Sequence, residues 1–352
     1  MYKFLIIVIV TLVKNIYTQD IGNPCTHARS NSPGLCKLLT QCKEIRDEIV
    51  IFQKLPQTCG FQETQPIVCC PNPQRSGSIS ETKCREYTSH TKEKQLCGHN
   101  IVKRIVEGKP AGRTEFPHMA LLGFPMGNPD NFQWLCGGSL ISEQYILTVA
   151  HCLTSGVVGE PKVVWLGITN LNDTNHKQEI KIAKNIVHPE YKNTSHYHDI
   201  ALVKLDKPIE TNSYVRPACL HTQLEIPVKK VVATGWGLTR YAGDSSQDLL
   251  KVTLNIVEYD FCNRNYLDTR KLREGIIYDM QICTGGSYPQ QGDTCQGDTG
   301  GPIQIYNNDS CMYDVIGVIS FGKSCSGGPS VNTRVSHYIK WIENIVWLEN
   351  GQ

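Results

Sequence analysis

The stretch GDTCQGDTGGP, residues 292–302, places the hydroxyl of Thr299 among glycines and acidic side chains. A hydroxyl is a useful nucleophile for acyl transfer only when a base lies within hydrogen-bond reach and a third group orients that base. The chain offers both groups earlier, His151 in TVAHC and Asp199 in HDIAL. Each motif alone is a weak signal, but the order histidine, aspartate, hydroxyl residue raises the question whether Thr299 is a nucleophile.

Together these motifs resemble those of the trypsin-like serine proteases, in which GDSGGP surrounds the nucleophile. A serine stands in that family where this chain has Thr299. The resemblance implies that His151 is the general base and that Asp199 holds its imidazole in the right tautomer. It also implies an oxyanion hole formed by the backbone N–H groups of Gly297 and Thr299.

The resemblance also predicts a pocket for the substrate side chain before the cleaved bond. Asp293 lies six residues before Thr299, where trypsin-like enzymes carry a carboxylate that selects arginine or lysine. Gly322 matches a glycine that lines this pocket. Ser330 stands where the family usually has another glycine, so we expect a narrower pocket.

Two functions follow from these residues. The first is an endopeptidase that cuts after arginine or lysine, which His151, Asp199 and Asp293 favour. The alternative is a weak or inactive homologue that binds proteases or their substrates as a cofactor or decoy, which Thr299 and Ser330 favour. Threonine keeps the hydroxyl, but its extra methyl group stiffens χ1 and makes aiming the oxygen harder.

Cysteine usage indicates the compartment. The chain has 16 cysteines and lacks the repeated Cys-x-x-Cys pairs of metal sites, which indicates disulfides in an oxidising environment. The apolar run FLIIVIVTLV fits a signal peptide over residues 1–18 and is too short for a membrane span. We expect a secreted protein, with candidate glycosylation sites at Asn172, Asn193 and Asn308.

A short polar region, residues 25–70, holds six cysteines and needs crosslinks because it cannot bury much apolar surface. Six cysteines allow fifteen pairings, and spacing alone does not choose among them. The ending CCP resembles the clip domain of arthropod proteases, with some other small disulfide module as the alternative. The clip resemblance implies the pairs Cys25–Cys69, Cys36–Cys59 and Cys42–Cys70.

Residues 71–104 are rich in proline, serine and glycine at their start and are interpreted as a linker. The junction KRIVEG resembles the activation site of a zymogen. A cut after Arg104 would free the amino group of Ile105, which the resemblance pairs with Asp298. The resemblance further implies the bridges Cys136–Cys152, Cys262–Cys283, Cys295–Cys325 and Cys97–Cys219, which leave Cys84 and Cys311 for each other.

From residue 105 to 352 the pattern is that of short apolar stretches separated by glycine, proline and asparagine, which predicts an all-β domain. Apolar residues at helical spacing predict one amphipathic helix near the C-terminus: Val335, Tyr338, Ile339, Ile342, Ile345 and Val346. The resemblance implies a double β-barrel of the chymotrypsin type, preceded by the small clip domain.

Charge and composition narrow the partners. The chain has 35 lysine and arginine residues against 33 aspartate and glutamate residues and contains no basic block, which argues against nucleic acid as a partner. We expect a monomer whose partners are protein substrates, an upstream activating protease and protease inhibitors. No carboxylate directly follows Leu166-Gly167, where some clip proteases bind calcium, so we expect no metal and no cofactor. The resemblance implies an extracellular cascade in immunity, melanisation, clotting or venom.

Overall fold

The computed structural model describes residues 21–27, 32–42, 45–46, 49, 55–71, 77–93, 108–154, 156, 159–237, 246–267, 270–285, 298–322 and 328–348. Contacts divide the chain into two compact units, Met1–Ser78 with Asn344–Gln352, and Ile79–Glu343. Within the described ranges, none of the helices is long and apolar enough to span a bilayer.

The first unit contains a four-stranded antiparallel sheet. Its strands are β1 (Pro24–His27), β2 (Ser32–Leu38), β3 (Thr58–Gln62) and β4 (Gln65–Pro71), in the order β1-β2-β4-β3. A short 3-10 helix, Leu39–Gln41, follows β2. The small apolar core needs covalent support, which the bridges Cys25–Cys69, Cys36–Cys59 and Cys42–Cys70 supply. These are the pairs that the clip resemblance implies.

Six antiparallel strands of the second unit form a closed barrel. They are β6 (Met119–Met126), β7 (Asn128–Ser142), β8 (Tyr145–Thr148), β9 (Val163–Leu166), β10 (Gln178–Val187) and β11 (Ala201–Leu205). The order is β10-β11-β8-β7-β6-β9, and β9 pairs with β10 to close the ring. Closure leaves no free sheet edge, and fully buried side chains such as Leu140, Ile146 and Leu202 fill the interior.

A second six-stranded ring follows. It contains β13 (Lys230–Gly235), β14 (Leu250–Ile256), β15 (Gln281–Gly285), β16 (Pro302–Asn307), β17 (Met312–Phe321) and β18 (Ser330–Arg334). The path β17-β16-β13-β14-β15-β18 closes through pairing of β17 with β18. Short strands extend it: β5 (Lys109–Pro110) pairs with β14, and β12 (Cys219–Leu220) runs parallel to β17. The predicted double β-barrel is confirmed.

In the described part of the barrels' unit, three short helices accompany the strands: α2 (Ala150–Leu153), α3 (Tyr259–Tyr266) and α4 (Val335–Glu343). Helix α4 is the predicted C-terminal helix, and it buries Val335, Tyr338, Ile339 and Ile342. The two remaining residues of the predicted apolar stripe, Ile345 and Val346, lie in the π-helical turn Asn344–Leu348. The helix is therefore confirmed, with an α-helical part shorter than its pattern.

A longer helix, α1 (Ser78–Glu93), lies within the predicted linker and corrects two predicted disulfides. Cys84 pairs with Cys219, so the Cys97–Cys219 and Cys84–Cys311 assignments are wrong. The cause is helical geometry, since Cys84 and Tyr87 are three residues apart and pack together against Cys219 and Met312. Cys311 is itself disulfide-bonded.

Polar contacts hold the same helix to other segments of the second unit, to which almost all of it belongs. The backbone N–H of Ser80 donates to Glu343 Oε1 at 2.7 Å, and the hydroxyl of Thr222 donates to Glu81 Oε1 at 2.9 Å. Helix α1 is therefore attached by a disulfide, an apolar contact and two hydrogen bonds.

Candidate active site

The structure brings His151 and Asp199 together, although 48 residues separate them. His151 lies in α2, directly after β8, and Asp199 lies just before β11, the strand that pairs with β8. Asp199 Oδ2 is 2.7 Å from His151 Nδ1, and Asp199 Oδ1 accepts the backbone N–H of His151 at 3.0 Å. One carboxylate therefore fixes both the ring and the backbone of the histidine, leaving the Nε2 side for chemistry.

Asp199 is almost fully buried, so its charge needs further partners. The hydroxyl of Ser320 donates to Asp199 Oδ2, and the hydroxyl of Thr333 donates to the Asp199 carbonyl at 2.7 Å. Ile319 pairs with Asn332 and Phe321 pairs with Val331, so Ser320 between them has no partner in β18 and lies in a β-bulge. Bulges of this kind often redirect a side chain beside an active site. The sequence analysis missed both hydroxyls, because neither belongs to a motif.

The histidine and the aspartate shift each other's pKa. Burial alone would lower the pKa of His151, but the charge and hydrogen bond of Asp199 outweigh it and raise the pKa above its usual value. Burial alone would raise the pKa of Asp199, but His151 and the Ser320 hydroxyl together lower it. The pair therefore favours an imidazolium beside a carboxylate, the charge arrangement that forms when His151 accepts a proton.

His198, directly before Asp199, has the left-handed φ of 56° that is uncommon outside glycine. Its ring is held on both sides: Nε2 lies 3.1 Å from Glu190 Oε2, and Nδ1 lies 3.3 Å from the Tyr338 hydroxyl. The His188 ring stacks on it at 5.1 Å. These contacts hold the backbone turn from which Asp199 emerges, and no sequence signal marked His198 for this role.

Thr299 is half-buried and is held through its backbone. Its carbonyl oxygen accepts the N–H of Gly137 at 2.8 Å, and the following residue, Gly300, donates its N–H to Ile319 at 2.8 Å. Gly137 follows Cys136, whose disulfide partner Cys152 follows His151. The nucleophile loop and α2, which carries His151, are thereby both tied to β7. No hydrogen bond joins the Thr299 hydroxyl to another described residue.

Asp298, the predicted partner of a new N-terminus, lies in a cradle of two glycines. Its Oδ1 accepts the N–H of Gly237 at 2.9 Å. A Cβ at Gly235 or Gly237 would lie 2.1 or 2.7 Å from the same oxygen, so no side chain fits at either position. The sequence analysis did not single out these glycines. Arg104 and Ile105 lie outside the described residues, so their pairing stays a prediction.

The two described residues of the predicted substrate pocket lie side by side. A Cβ at Gly322 would lie 3.2 Å from Ser330 Oγ, so this hydroxyl occupies the space beside the glycine. Asp293, Gly297, Cys295 and Cys325 lie outside the described residues. The asparagines of the three sequons, Asn172, Asn193 and Asn308, are all exposed.

Comparison with known proteins gives the same family. A family model for trypsin matches residues 105–342. The chain is similar to Serine protease snk of Drosophila melanogaster, with 38% identity over 94% of this chain and 80% of the relative. It is also similar to CLIP domain-containing serine protease B4 of Anopheles gambiae, with 32% identity over 95% of each chain. Clotting factor G beta subunit of Tachypleus tridentatus is 34% identical over 77% of this chain and 89% of the relative.

The two closed barrels, the His151–Asp199 pair between β8 and β11, and the match over residues 105–342 lead to one conclusion. This chain belongs to the trypsin family of serine proteases, and its relatives include clip-domain proteases.

Proposed function

We propose that the chain is a secreted clip-domain zymogen that, once cut after Arg104, hydrolyses proteins after arginine or lysine in an extracellular cascade. The observation that carries the proposal is the complete His151–Asp199 pair, oriented by two hydrogen bonds and supported by the buried hydroxyl of Ser320. A decoy has no need of an oriented base. The names of the relatives, which include a Melanization protease 1 and a clotting factor subunit, support a cascade role.

In the proposed reaction, His151 Nε2 takes the proton of the Thr299 hydroxyl as the oxygen attacks the scissile carbonyl. The resulting oxyanion is stabilised by the N–H groups of Gly297 and Thr299. His151 then gives its proton to the leaving amine, which breaks the peptide bond and leaves an acyl group on Thr299. Water, deprotonated by the same histidine, releases that acyl group.

The methyl group of Thr299 is expected to slow this reaction. The backbone cannot move to accommodate the methyl group, because the Gly137 hydrogen bond holds Thr299 and the Gly300 turn follows immediately. Strain must then appear in χ1, where an off-rotamer side chain costs about 0.5–1.5 kcal/mol. A displacement of about 1 Å in the attacking oxygen costs on the order of 100-fold in rate. We therefore propose a slow protease.

The second candidate is a cofactor or decoy without useful activity. Two features favour it. The Ser330 hydroxyl lies beside Gly322 in the predicted pocket, and Thr299 stands where the family has the nucleophilic serine. The helix α1 contacts suit either function, because they keep the N-terminal part joined to the protease domain after a cut at Arg104.

Cleavage kinetics separate the protease candidate from the cofactor candidate. Three activated proteins are compared, the natural chain, Thr299→Ser and Thr299→Ala, each with peptides that carry arginine or lysine before the cleaved bond. We expect Thr299→Ser to be on the order of 100-fold faster than the natural chain. The natural chain should in turn be measurably faster than Thr299→Ala, which has no hydroxyl. A natural chain no faster than Thr299→Ala would establish the cofactor candidate instead.

A further inference from the structure

The segment between α3 and β15 carries a concentrated positive charge. Arg270, Lys271 and Arg273 are all exposed, while Leu272 between them is fully buried. We call residues 270–273 the basic loop. Across the described residues, none of its three cations forms an ion pair.

Hydrogen bonds hold the basic loop against the segment that leads into Asp199. The backbone N–H of His196 donates to the Lys271 carbonyl at 3.0 Å. The Tyr197 hydroxyl donates to the Gly275 carbonyl at 2.8 Å and accepts the N–H of Glu274 at 2.9 Å. The backbone is therefore fixed at Lys271 and directly after Arg273 to residues within three positions of Asp199, so the main chain that carries the cations needs little ordering when they bind a ligand.

The loop also joins a wall beside the predicted substrate pocket. The His196 ring stacks on the Phe321 ring, with centroids 4.0 Å apart and planes at 16°. Phe321 lies between Ser320, the donor to Asp199, and Gly322 of the predicted pocket. Because Phe321 directly precedes Gly322, we expect the substrate residues that precede the cleaved bond to pass close to this wall.

Lys271 places a positive charge close to His196 at this wall. Burial and then the Lys271 ammonium lower the pKa of His196 to about 4, so this ring is neutral at physiological pH. The same ammonium also opposes protonation of His151. The charge of Asp199 opposes this effect at His196 to a smaller extent, and the carboxylate itself is buried and bonded to His151.

We infer that the basic loop selects substrates with aspartate or glutamate among the few residues that precede the cleaved bond. This inference rests on the proposed function, since it concerns the substrate of the same site. An exposed ion pair is worth about two- to fivefold in affinity. Complementary charge also raises the association rate, and salt should weaken both effects because the Debye length is about 10 Å at 0.1 M.

The test uses two matched peptide sets with arginine before the cleaved bond and either acidic residues or their amides in the four preceding positions. Cleavage by the activated full chain, or by its Thr299→Ser form, gives the ratio of kcat/KM between the sets. Fluorescence anisotropy with the activated Thr299→Ala chain measures binding of the same peptides without catalysis. Lys271→Gln and the triple Arg270→Gln, Lys271→Gln, Arg273→Gln variant keep the backbone contacts, and Lys229→Gln is the matched control.

We expect a preference for acidic peptides of about threefold or more in both measurements at low salt. Lys271→Gln should reduce it, the triple variant should remove it, and Lys229→Gln should leave it unchanged. Equal binding of the two sets, or a preference that survives the triple variant, overturns the inference. A triple variant that loses only affinity for heparin would assign the loop to an anionic polysaccharide instead.

The two proposals fail in different ways. If no form cleaves any peptide but binding of acidic peptides depends on the basic loop, the loop's affinity for acidic residues stands and the protease proposal fails. If peptides are cleaved without regard to acidic residues, the protease proposal stands and the inference fails.

Discussion

Gly137 donates its backbone N–H to the carbonyl oxygen of Thr299 at 2.8 Å. This bond joins β7 of the first barrel to the nucleophile loop that leads into β16 of the second barrel. Gly137 also accepts the hydroxyl of Thr148 through its carbonyl oxygen at 2.9 Å. A side chain at Gly300, next to Thr299, would collide with both the Gly137 carbonyl oxygen and the Thr148 hydroxyl. The position of the nucleophile is thus set by close backbone packing, which makes substitutions here informative.

Gly300→Ala should destabilise the protein by about 3–5 kcal/mol. Its φ of +82° is unfavourable for alanine, and the new Cβ would lie 2.4 Å from both the Gly137 carbonyl oxygen and Thr148 Oγ1. Gly127→Ala is the control, because Gly127 has a φ of +63° with nothing within 4 Å of a new Cβ. We expect the control to cost only about 1–2 kcal/mol. Urea unfolding measures both, and equal losses would contradict the packing argument.

Ser320→Ala should lower the free energy of unfolding by about 1.5–3 kcal/mol at neutral pH, since it removes a hydrogen bond to the buried Asp199 carboxylate. The pKa of Asp199 is lowered in the folded protein, so its contribution is present above the ordinary pKa of about 4 and is lost as pH falls through the folded value. The difference between variant and natural chain should therefore shrink as pH falls below that ordinary value and through the lowered pKa of folded Asp199.

The control for this pH effect is Ser142→Ala, which removes a buried hydroxyl whose one hydrogen bond to a described residue is that accepted from the N–H of Gln144. Its loss of stability should be small and independent of pH. A Ser320→Ala loss that stays constant from neutral to acidic pH would mean that its hydroxyl does not act through the Asp199 charge.

Lys271→Gln should raise the pKa of His151, because the ammonium of Lys271 opposes protonation of that ring. Only neutral His151 accepts a proton, so the acidic limb of the kcat/KM profile should move to higher pH. Asp199 is the carboxylate that acts in the opposite sense and is unchanged in this variant. NMR titration of the imidazole measures the same shift without catalysis. Lys229→Gln should leave the titration in place, and an equal shift in both variants would exclude a local effect of Lys271.

The same histidine should contribute to stability in the opposite pH range to Asp199. Its folded pKa lies above the ordinary value of about 6.5, so its stabilisation is complete below that value and is lost as pH rises through the folded pKa. Lys271→Gln, which raises that pKa further, should extend the stabilised range to higher pH. Unfolding measured between about pH 6 and pH 8 tests this expectation.

Cleavage after Arg104 should leave the two pieces joined in the absence of reductant, because Cys84 lies before the cut and is bonded to Cys219 after it. If Cys295 and Cys325 pair as the family resemblance implies, Cys97 remains for Cys311 and provides a second tie. Replacing Cys84 and Cys219 with alanine should then leave the pieces joined on non-reducing gels.

Further replacement of Cys97 and Cys311 with alanine should release the N-terminal piece. Release by the first pair of substitutions alone would show that Cys97 does not bridge the cut. Separation of the natural pieces without reductant would contradict both ties.

The sequence by itself determined the features that depend on neighbouring residues. Short apolar stretches between turn residues predicted an all-β domain, and the family resemblance implied the two barrels. Helical spacing from Val335 to Val346 predicted the C-terminal helix. The order of His151, Asp199 and Thr299 identified the family, because the motifs around them are contiguous. The ending CCP resembles the clip domain, and that resemblance, not the spacing, implied the three N-terminal bridges that the structure contains.

Only the tertiary structure decided what depends on long-range register. The bulge that places Ser320 beside Asp199 arises from pairing between β17 and β18, which no local pattern encodes. The bridge from Cys84 to Cys219 spans 135 residues and depends on which face of α1 packs on the second unit. The hydrogen bond from the His196 N–H to the Lys271 carbonyl places the basic loop beside the segment that leads into Asp199. Sequence motifs record which groups are present, whereas distances between groups far apart in the chain follow from how the barrels close.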